Sequence, residues 1–230
     1  MGCTKYDVTD QEYPFDLVLD ADNNVYVTGS QESAGNADFV TIKYSQTGPL
    51  LTLNLTAFIQ GFYNSVSNNM ISDTARVYLR NASSPYNNID SSKGILNSSG
   101  TGTFLFSNAV SGVNYYIAVK HRNSIETWSS FAIPFLAGTL TFNFATFATQ
   151  AYGSNEIQVD ASPVRFAFYG GDVNQDGSVD LADGSLVDND AGNFTGGYVK
   201  TDINGDFFVD VSDVSIVENN AYNFVGIVRP

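Results

Sequence analysis

Cysteine, histidine and basic residues are all scarce in this sequence. Its 230 residues include one cysteine, Cys3, one histidine, His121, and 10 Lys and Arg residues against 24 Asp and Glu residues. A single cysteine excludes an intrachain disulfide. The formal net charge of −14 argues against nucleic acid and anionic membrane surfaces as partners, because both are bound through Lys and Arg. No apolar run approaches the ~20 residues of a membrane span, so we expect none.

Signatures of catalysis are missing as well. His121 lies between Lys120 and Arg122 in an alternating segment, and we interpret it as an exposed or edge-strand residue. Cys3 is far from it in the sequence, so a Cys–His nucleophile is not indicated. No two carboxylates are placed at the defined separation that a glycosidase needs. The sequence therefore predicts a protein that is not an enzyme and has no catalytic residues.

Short segments rich in β-branched and aromatic residues dominate the first 170 residues. Clusters of Gly, Asn, Ser and Pro separate them, which is typical of antiparallel strands joined by turns. The predicted strands are residues 16–19, 25–28, 39–44, 51–59, 75–80, 102–106, 115–120 and 140–144. Their even spacing predicts a β-sandwich domain over residues 51–162. Within it, GTGTFLFSNAVSGVNYYIAVKHR resembles immunoglobulin-like extracellular sandwich modules found beside enzymes and adhesins.

Residues 1–50 carry a different pattern. The segments DLVLDADNNVYVTGS (16–30) and DFVTIKYSQTG (38–48) resemble one repeat of the bacterial seven-bladed β-propeller family. A single blade has open strand edges and an uncovered face. We therefore expect a propeller-repeat-like hairpin segment, whose strands join the neighbouring sandwich, pair with another chain, or are the remnant of a truncated propeller.

The C-terminal residues 163–230 contain an internal repeat with an offset of 30 residues. DVNQDGSVDLADGSLVDNDAGNFTG (172–196) aligns without gaps with DINGDFFVDVSDVSIVENNAYNFVG (202–226), and 13 of the 25 positions are identical. Each copy places oxygen-bearing residues at positions 1, 3, 5, 7, 9 and 12. Calcium takes six to eight oxygen ligands, and an EF-hand-type loop supplies them from these positions.

The sequence thus predicts two Ca²⁺ sites, with the position-7 residue contributing its backbone carbonyl. The predicted ligands of the first loop are Asp172, Asn174, Asp176, Ser178, Asp180 and Asp183, and those of the second are Asp202, Asn204, Asp206, Phe208, Asp210 and Asp213. Asp at position 12, with a helix after each loop and none before it, resembles the dockerin pattern. The resemblance implies a duplicated calcium-loop and helix pair, so the expected fold class is mostly β with a small α C-terminal module.

Two details of the repeat carry further predictions. Apolar residues at matching positions, Leu181, Val187, Ala191 and Phe194 and their counterparts Val211, Val217, Ala221 and Phe224, predict one buried face on each helix. Position 6 of the loop requires a positive φ, which Gly177 supplies in the first copy, whereas the second copy has Phe207. We therefore predict weaker calcium binding at the second loop.

Three functions fit these observations, all of them extracellular or at the cell surface. The first is a calcium-stabilised structural protein that pairs strands head-to-tail with its own copies in a fibre or matrix. The second is the anchoring part of a longer secreted enzyme or propeller protein, which binds a cohesin-like receptor. Dockerins use the positions before the last ligand for this, here Leu181-Ala182 and Val211-Ser212. The third is carbohydrate binding, with Trp128 as a stacking platform, although the favoured interpretation of Trp128 is a partly buried core residue. Glycans could also decorate sequons at Asn54, Asn81, Asn97 and Asn193.

Overall fold

The computed structural model describes residues 11–20, 24–33, 36–44 and 50–230, so Cys3 lies outside the described residues. The chain divides into two compact units, Met1–Gly48 and Pro49–Pro230, which are considered separately below. Among the described residues, no helix is long and apolar enough to cross a membrane.

The first unit contains a three-stranded antiparallel sheet. Its strands are β1 (Gln11–Leu19), β2 (Val25–Ser33) and β3 (Asn36–Tyr44), in the order β1-β2-β3. A register shift between Pro14 and Asp16 places a bulge in β1. Because β2 lies in the middle, β1 and β3 are the edges of the sheet that the structure describes. The likeness to a propeller repeat stays a prediction.

The second unit holds the remaining strands and both α-helices. The strands are β4 (Leu51–Thr56), β5 (Tyr63–Asn64), β6 (Asn69–Met70), β7 (Asp73–Asn81), β8 (Asn88–Leu96), β9 (Thr101–Phe106), β10 (Asn114–His121), β11 (Thr127–Trp128), β12 (Ile133–Pro134), β13 (Thr139–Asn143), β14 (Ile157–Ala161) and β15 (Val164–Ala167). Two 3-10 helices, Ala148–Gln150 and Tyr152–Ser154, precede β14, and the α-helices are α1 (Leu181–Gly192) and α2 (Val211–Tyr222).

Two sheets of this unit form a β-sandwich. One has the order β11-β10-β7-β8, with β12 also paired to β10, and the other has the order β13-β4-β9. Alternation along β7 buries Ala75, Val77 and Leu79. They share one hydrophobic core with residues of the opposite sheet, including Leu53 of β4 and Phe104 of β9. The expected fold class, mostly β with a sandwich and a small helical module, is confirmed.

One expectation about a single residue is wrong, and one that left two alternatives open is decided. His121 is not an exposed or edge residue, because β10 is flanked on both sides and the side chain is only 2% exposed. Trp128 occupies the core position that the sequence favours over a stacking platform: it is 3% exposed, and its Nε1 donates a hydrogen bond to Glu126 Oε1 at 2.6 Å. A buried indole offers no stacking platform for a sugar.

A second, smaller core lies in the C-terminal module and is joined to the sandwich. Its buried members are Ile125, Val173, Val179, Val187, Ile203, Val209, Val217 and Val225. Ile125 comes from the segment after β10, so the sandwich itself contributes to this core. Backbone hydrogen bonds from Ile125 N to Tyr169 O and from Gly171 N to Asn123 O, both shorter than 3 Å, continue the junction. The module is thereby held against the sandwich within one compact unit.

Candidate metal centre

Each predicted loop ends where a helix begins, and two of its aspartates fix that point. Asp180 is the N-cap of α1, and its side chain accepts a hydrogen bond from Ala182 N at 2.7 Å. Asp183 Oδ2 accepts one from Asp180 N at 3.1 Å, which completes a capping box. Asp210 and Asp213 repeat this arrangement at the start of α2. Positions 9 and 12 thus have a structural role that does not require a metal.

The middle of each loop is folded by side-chain turns. Asn174 Oδ1 accepts a hydrogen bond from Asp176 N at 2.8 Å, and Asp176 Oδ1 accepts one from Ser178 N at 3.0 Å. The second loop contains the same two bonds, at 2.9 Å each. There, Asn204 Oδ1 accepts from Asp206 N, and Asp206 Oδ1 accepts from Phe208 N. The two copies therefore share their local geometry as well as their sequence pattern.

The first and last parts of each loop are tied together through position 12. Asp183 Oδ1 accepts hydrogen bonds from Val173 N at 2.9 Å and Asn174 N at 3.1 Å. In the second loop, Asp213 Oδ1 accepts the equivalent bonds at 2.6 and 3.0 Å. Both carboxylates are fully buried, and this burial raises the pKa of each above its ordinary value.

The position-1 aspartates differ between the loops. Asp172 is 2% exposed, and its Oδ1 is buried without any hydrogen-bond partner. Burial, with the nearby charges of Asp183 and Asp176, raises the pKa of Asp172 to about 6. In contrast, Asp202 Oδ1 accepts a hydrogen bond from Gly205 N at 2.7 Å. Its Oδ2 accepts one from Phe207 N at 3.3 Å and lies 3.2 Å from Arg122 Nη2.

The residues of the first loop fit a calcium ion. Calcium is a hard cation that takes only oxygen ligands, and every predicted ligand here offers oxygen. An unpartnered carboxylate oxygen, buried as Asp172 Oδ1 is, costs free energy unless a cation or a donor satisfies it. Within the described ranges, no three His, Cys, Asp or Glu side chains converge into a ready-made metal cage. The aspartates instead accept the backbone bonds described above, so calcium binding stays a prediction for all twelve ligand positions.

Each loop pairs with the segment that follows the helix of the other repeat. Ser178 of the first loop forms a bridge with Gly226, which follows α2, and Phe208 of the second forms one with Gly196, which follows α1. Val179 N donates to Val225 O at 2.8 Å in the same region. Each loop is therefore completed by the other repeat, and the position-7 carbonyls lie on segments fixed by this pairing.

The buried face predicted for each helix is only partly correct. Val187 and Val217 are fully buried, and Ala191 and Ala221 are partly buried against the same core. The end positions are exposed instead: Leu181 by 83%, Val211 by 73%, Phe194 by 91% and Phe224 by 93%. Leu181 and Val211 are the first helical residues, and both phenylalanines lie beyond the helix ends. Loop positions 2 and 8 supply the missing core residues, Val173, Val179, Ile203 and Val209.

The positive φ predicted at position 6 is present in both copies. Gly177 has a φ of 97° and Phe207 a φ of 71°. Phe207 is 55% exposed, so its ring gains little burial in return for a backbone conformation that disfavours bulky residues.

Sequence reasoning missed the residues that surround the second loop. Asp73, His121, Arg122 and Tyr198 form one hydrogen-bonded cluster at the junction, beside Asp202. One signal for this cluster was available, because the polar run from Lys120 to Asn123 interrupts the apolar alternation at the end of β10. Nothing in that run, however, indicates which loop it contacts.

Comparisons with known proteins do not identify a family for this chain. No family model matches the chain, and no curated protein matches it. Among solved structures, a chain in a C-terminal interface mutant of a type II cohesin–X-dockerin complex from Acetivibrio cellulolyticus is 13% identical, with a TM-score of 0.43. The match covers 76% of this chain and 99% of that one. An N-terminal interface mutant of the same type of complex gives 14% identity and a TM-score of 0.40, over 77% and 100% of the two chains.

Proposed function

We propose that the chain is a non-catalytic, calcium-stabilised module of the cell exterior that assembles through protein–protein contacts, as a subunit of an extracellular fibre or matrix. The observation that carries this proposal is the exposed apolar surface of the first unit's sheet. Phe15, Leu17 and Phe39 are 63%, 60% and 87% exposed. Apolar patches of this kind mark interaction surfaces in soluble proteins.

The strands of this sheet suit pairing with another copy. Leu17, Val18 and Leu19 are consecutive and each is at least 56% exposed, so apolar side chains emerge from both faces of β1. In the described part of the sheet, the edges at β1 and β3 present backbone groups that a further strand can pair with. Strand addition of this type is heterologous, and it propagates into a fibre when the rotation between copies does not close a ring.

Calcium supports assembly through charge. Residues 172–230 contain eleven Asp and Glu against one Lys and one Arg, so copies of the metal-free module repel each other. Calcium bound at the loops reduces this repulsion and stabilises the folded module, because a ligand that binds only the folded state adds its binding free energy.

Electron microscopy and sedimentation velocity test the proposal on the purified chain, in millimolar calcium and in excess chelator. Filaments or long polymers should form with calcium, and the double variant Leu17→Lys/Phe39→Lys should lose them. Val66→Lys is the matched control, because Val66 is 93% exposed but lies between β5 and β6 of the second unit. Monodisperse monomers of the wild type in both solutions would contradict self-assembly.

A second candidate function is anchoring, in which the C-terminal module binds a cohesin-like receptor. It is favoured by a duplicated apolar surface, in which Phe194 and Phe224 are more than 90% exposed although each adopts a φ of 53°. A strained, exposed aromatic at equivalent positions of both repeats is typical of a binding residue rather than a core residue. An immobilised type II cohesin domain is a suitable probe: the wild type should be retained, and Phe194→Ser/Phe224→Ser should not. Equal retention of the wild type and the variant would contradict anchoring through these two phenylalanines.

A further inference from the structure

The sandwich places a guanidinium group against the first aspartate of the second loop. Arg122 follows β10, its side chain is 11% exposed, and its Nη2 lies 3.2 Å from Asp202 Oδ2. Its Nη1 donates a hydrogen bond to Val199 O, and its Cζ lies 4.4 Å from the ring centroid of Tyr198. The group is held by contacts on several sides, so it is not a mobile surface charge.

A second acid fixes the orientation of Arg122. Asp73 Oδ2 accepts hydrogen bonds from Arg122 Nε at 2.9 Å, and Asp73 Oδ1 accepts one from Tyr198 O–H at 2.6 Å. His121 Nε2 is also 3.0 Å from Asp73 Oδ2. Burial opposes ionisation of Asp73, yet these three hydrogen bonds hold its pKa below the ordinary value. Arg122 therefore bridges two carboxylates, one in the sandwich and one in the loop.

The neighbouring Asn123 also binds Asp202. Its Nδ2 donates to Asp202 O at 2.7 Å, so both the side chain and the backbone of Asp202 are bound to the sandwich. In the first loop the equivalent carbonyl is bound from within the loop, because Gln175 Nε2 donates to Asp172 O at 2.6 Å. In the described part of the chain, no Lys or Arg lies within salt-bridge distance of Asp172.

We infer that Arg122 is a built-in counter-cation of the second loop, which lowers the affinity of that loop for calcium and leaves the first loop as the tighter site. This inference rests on the proposed calcium binding. A calcium ion at Asp202 either competes with the guanidinium for Oδ2 or, at Oδ1, lies close to a fixed positive charge. Both arrangements are repulsive in a region with little water. Calcium at the second loop is consequently coupled to the junction with the sandwich.

Calorimetric titration with calcium chloride tests this on the full chain. Asp176→Ala removes the first loop as a site, so that the heat that remains reports the second. In that background, Arg122→Gln should tighten calcium binding roughly tenfold, a coupling of the size typical for linked sites. Arg76→Gln is the matched control, because it removes the same charge from an exposed position of β7 and should leave the affinity unchanged.

The possible outcomes distinguish the role of Arg122 from the proposed calcium binding on which it rests. No calcium binding by the wild type would overturn the proposed calcium-stabilised module itself. Binding at the first loop, with a second-loop affinity that Arg122→Gln leaves equal or lowers, would overturn the role of Arg122 alone. A measurement without substitution covers the case of a variant that does not fold: in the ¹⁵N-labelled wild type, the Arg122 side-chain resonances should shift at the second calcium step. A shift completed at the first step would also overturn the inference.

Discussion

The two loops of the C-terminal module have the same pattern and nearly the same internal hydrogen bonds, yet they lie in different surroundings. Asp172 has a buried oxygen without a partner, whereas Asp202 is bonded through both oxygens and faces Arg122. The repeat therefore determines the shape of each loop, and the sandwich determines its electrostatics. Two copies of one motif need not be two copies of one site.

The largest expected change in stability is the same for both loops and concerns position 12. Asp183→Ala and Asp213→Ala each leave three backbone N–H groups without their acceptor and remove a capping box. Each should lower the free energy of unfolding by about 3 kcal/mol in excess chelator. Urea denaturation measures this, and a loss in only one of the two variants would break the equivalence of the loops.

The next largest effect is a pH dependence of stability that comes from a residue outside both loops. Glu156 is 5% exposed, both of its carboxylate oxygens lack partners, and burial raises its pKa from 4.5 to about 9. The folded protein keeps this proton while the unfolded chain releases it, so stability should fall as the pH rises from about 4.5 to about 9. Glu156→Gln should remove that slope above about pH 6, where Asp172 no longer contributes, and raise the free energy of unfolding at pH 8 by about 2 kcal/mol.

Denaturation at several pH values, each with and without calcium, distinguishes this group from the loops. Glu218→Gln, at an exposed position of α2, is the control and should keep the wild-type slope. A slope that survives above about pH 6 in Glu156→Gln would assign the dependence to another group.

The sharpest contrast between the loops concerns position 1. In chelator, Asp172→Asn removes a buried charge that has neighbours of the same sign, so stability should rise by about 1 kcal/mol. Asp202→Asn removes the partner of Arg122, and stability should fall by about 1 kcal/mol. Thermal denaturation of the two variants side by side gives the signs, and equal signs would show that the surroundings of the loops do not matter.

The smallest effect concerns position 6. Phe207→Gly relieves a strained φ of 71° at the cost of a more flexible unfolded chain, so we expect a gain of only about 0.5 kcal/mol. Gly177→Ala should instead destabilise, because its φ of 97° disfavours any side chain, and its Cβ would in addition displace Ile227 Cδ1, 2.7 Å away. Urea titration of both variants tests this, and a loss of stability in Phe207→Gly would mean that the ring packs more tightly than its exposure indicates.

Much of the fold follows from local patterns in the sequence. Alternation predicts β7, and the D-x-N-x-D repeat predicts where α1 and α2 begin, since Asp180 and Asp210 act as caps. The strand β8 is not predicted. Its sequence NIDSSKGIL has few apolar residues, and it forms the edge of the five-stranded sheet, where fewer are needed.

The candidate site is less accessible to sequence reasoning. The ligand positions follow from spacing, and their binding of calcium stays a prediction. Arg122 is 80 residues from Asp202, and no local pattern connects them. The burial of His121 depends in the same way on Asp73, 48 residues away. Such contacts arise from the topology that brings β7 and β10 beside the module, and a single sequence carries no direct signal of them.

The crossed pairing of the loops has a consequence for synthesis of the chain. Ile227 N donates to Gly177 O, so the first loop is closed by a residue that the ribosome adds fifty positions later. During that interval the first loop cannot reach its final form, and neither repeat is a domain that folds alone. The second repeat is thus required for the first to fold, even if it never holds a metal itself.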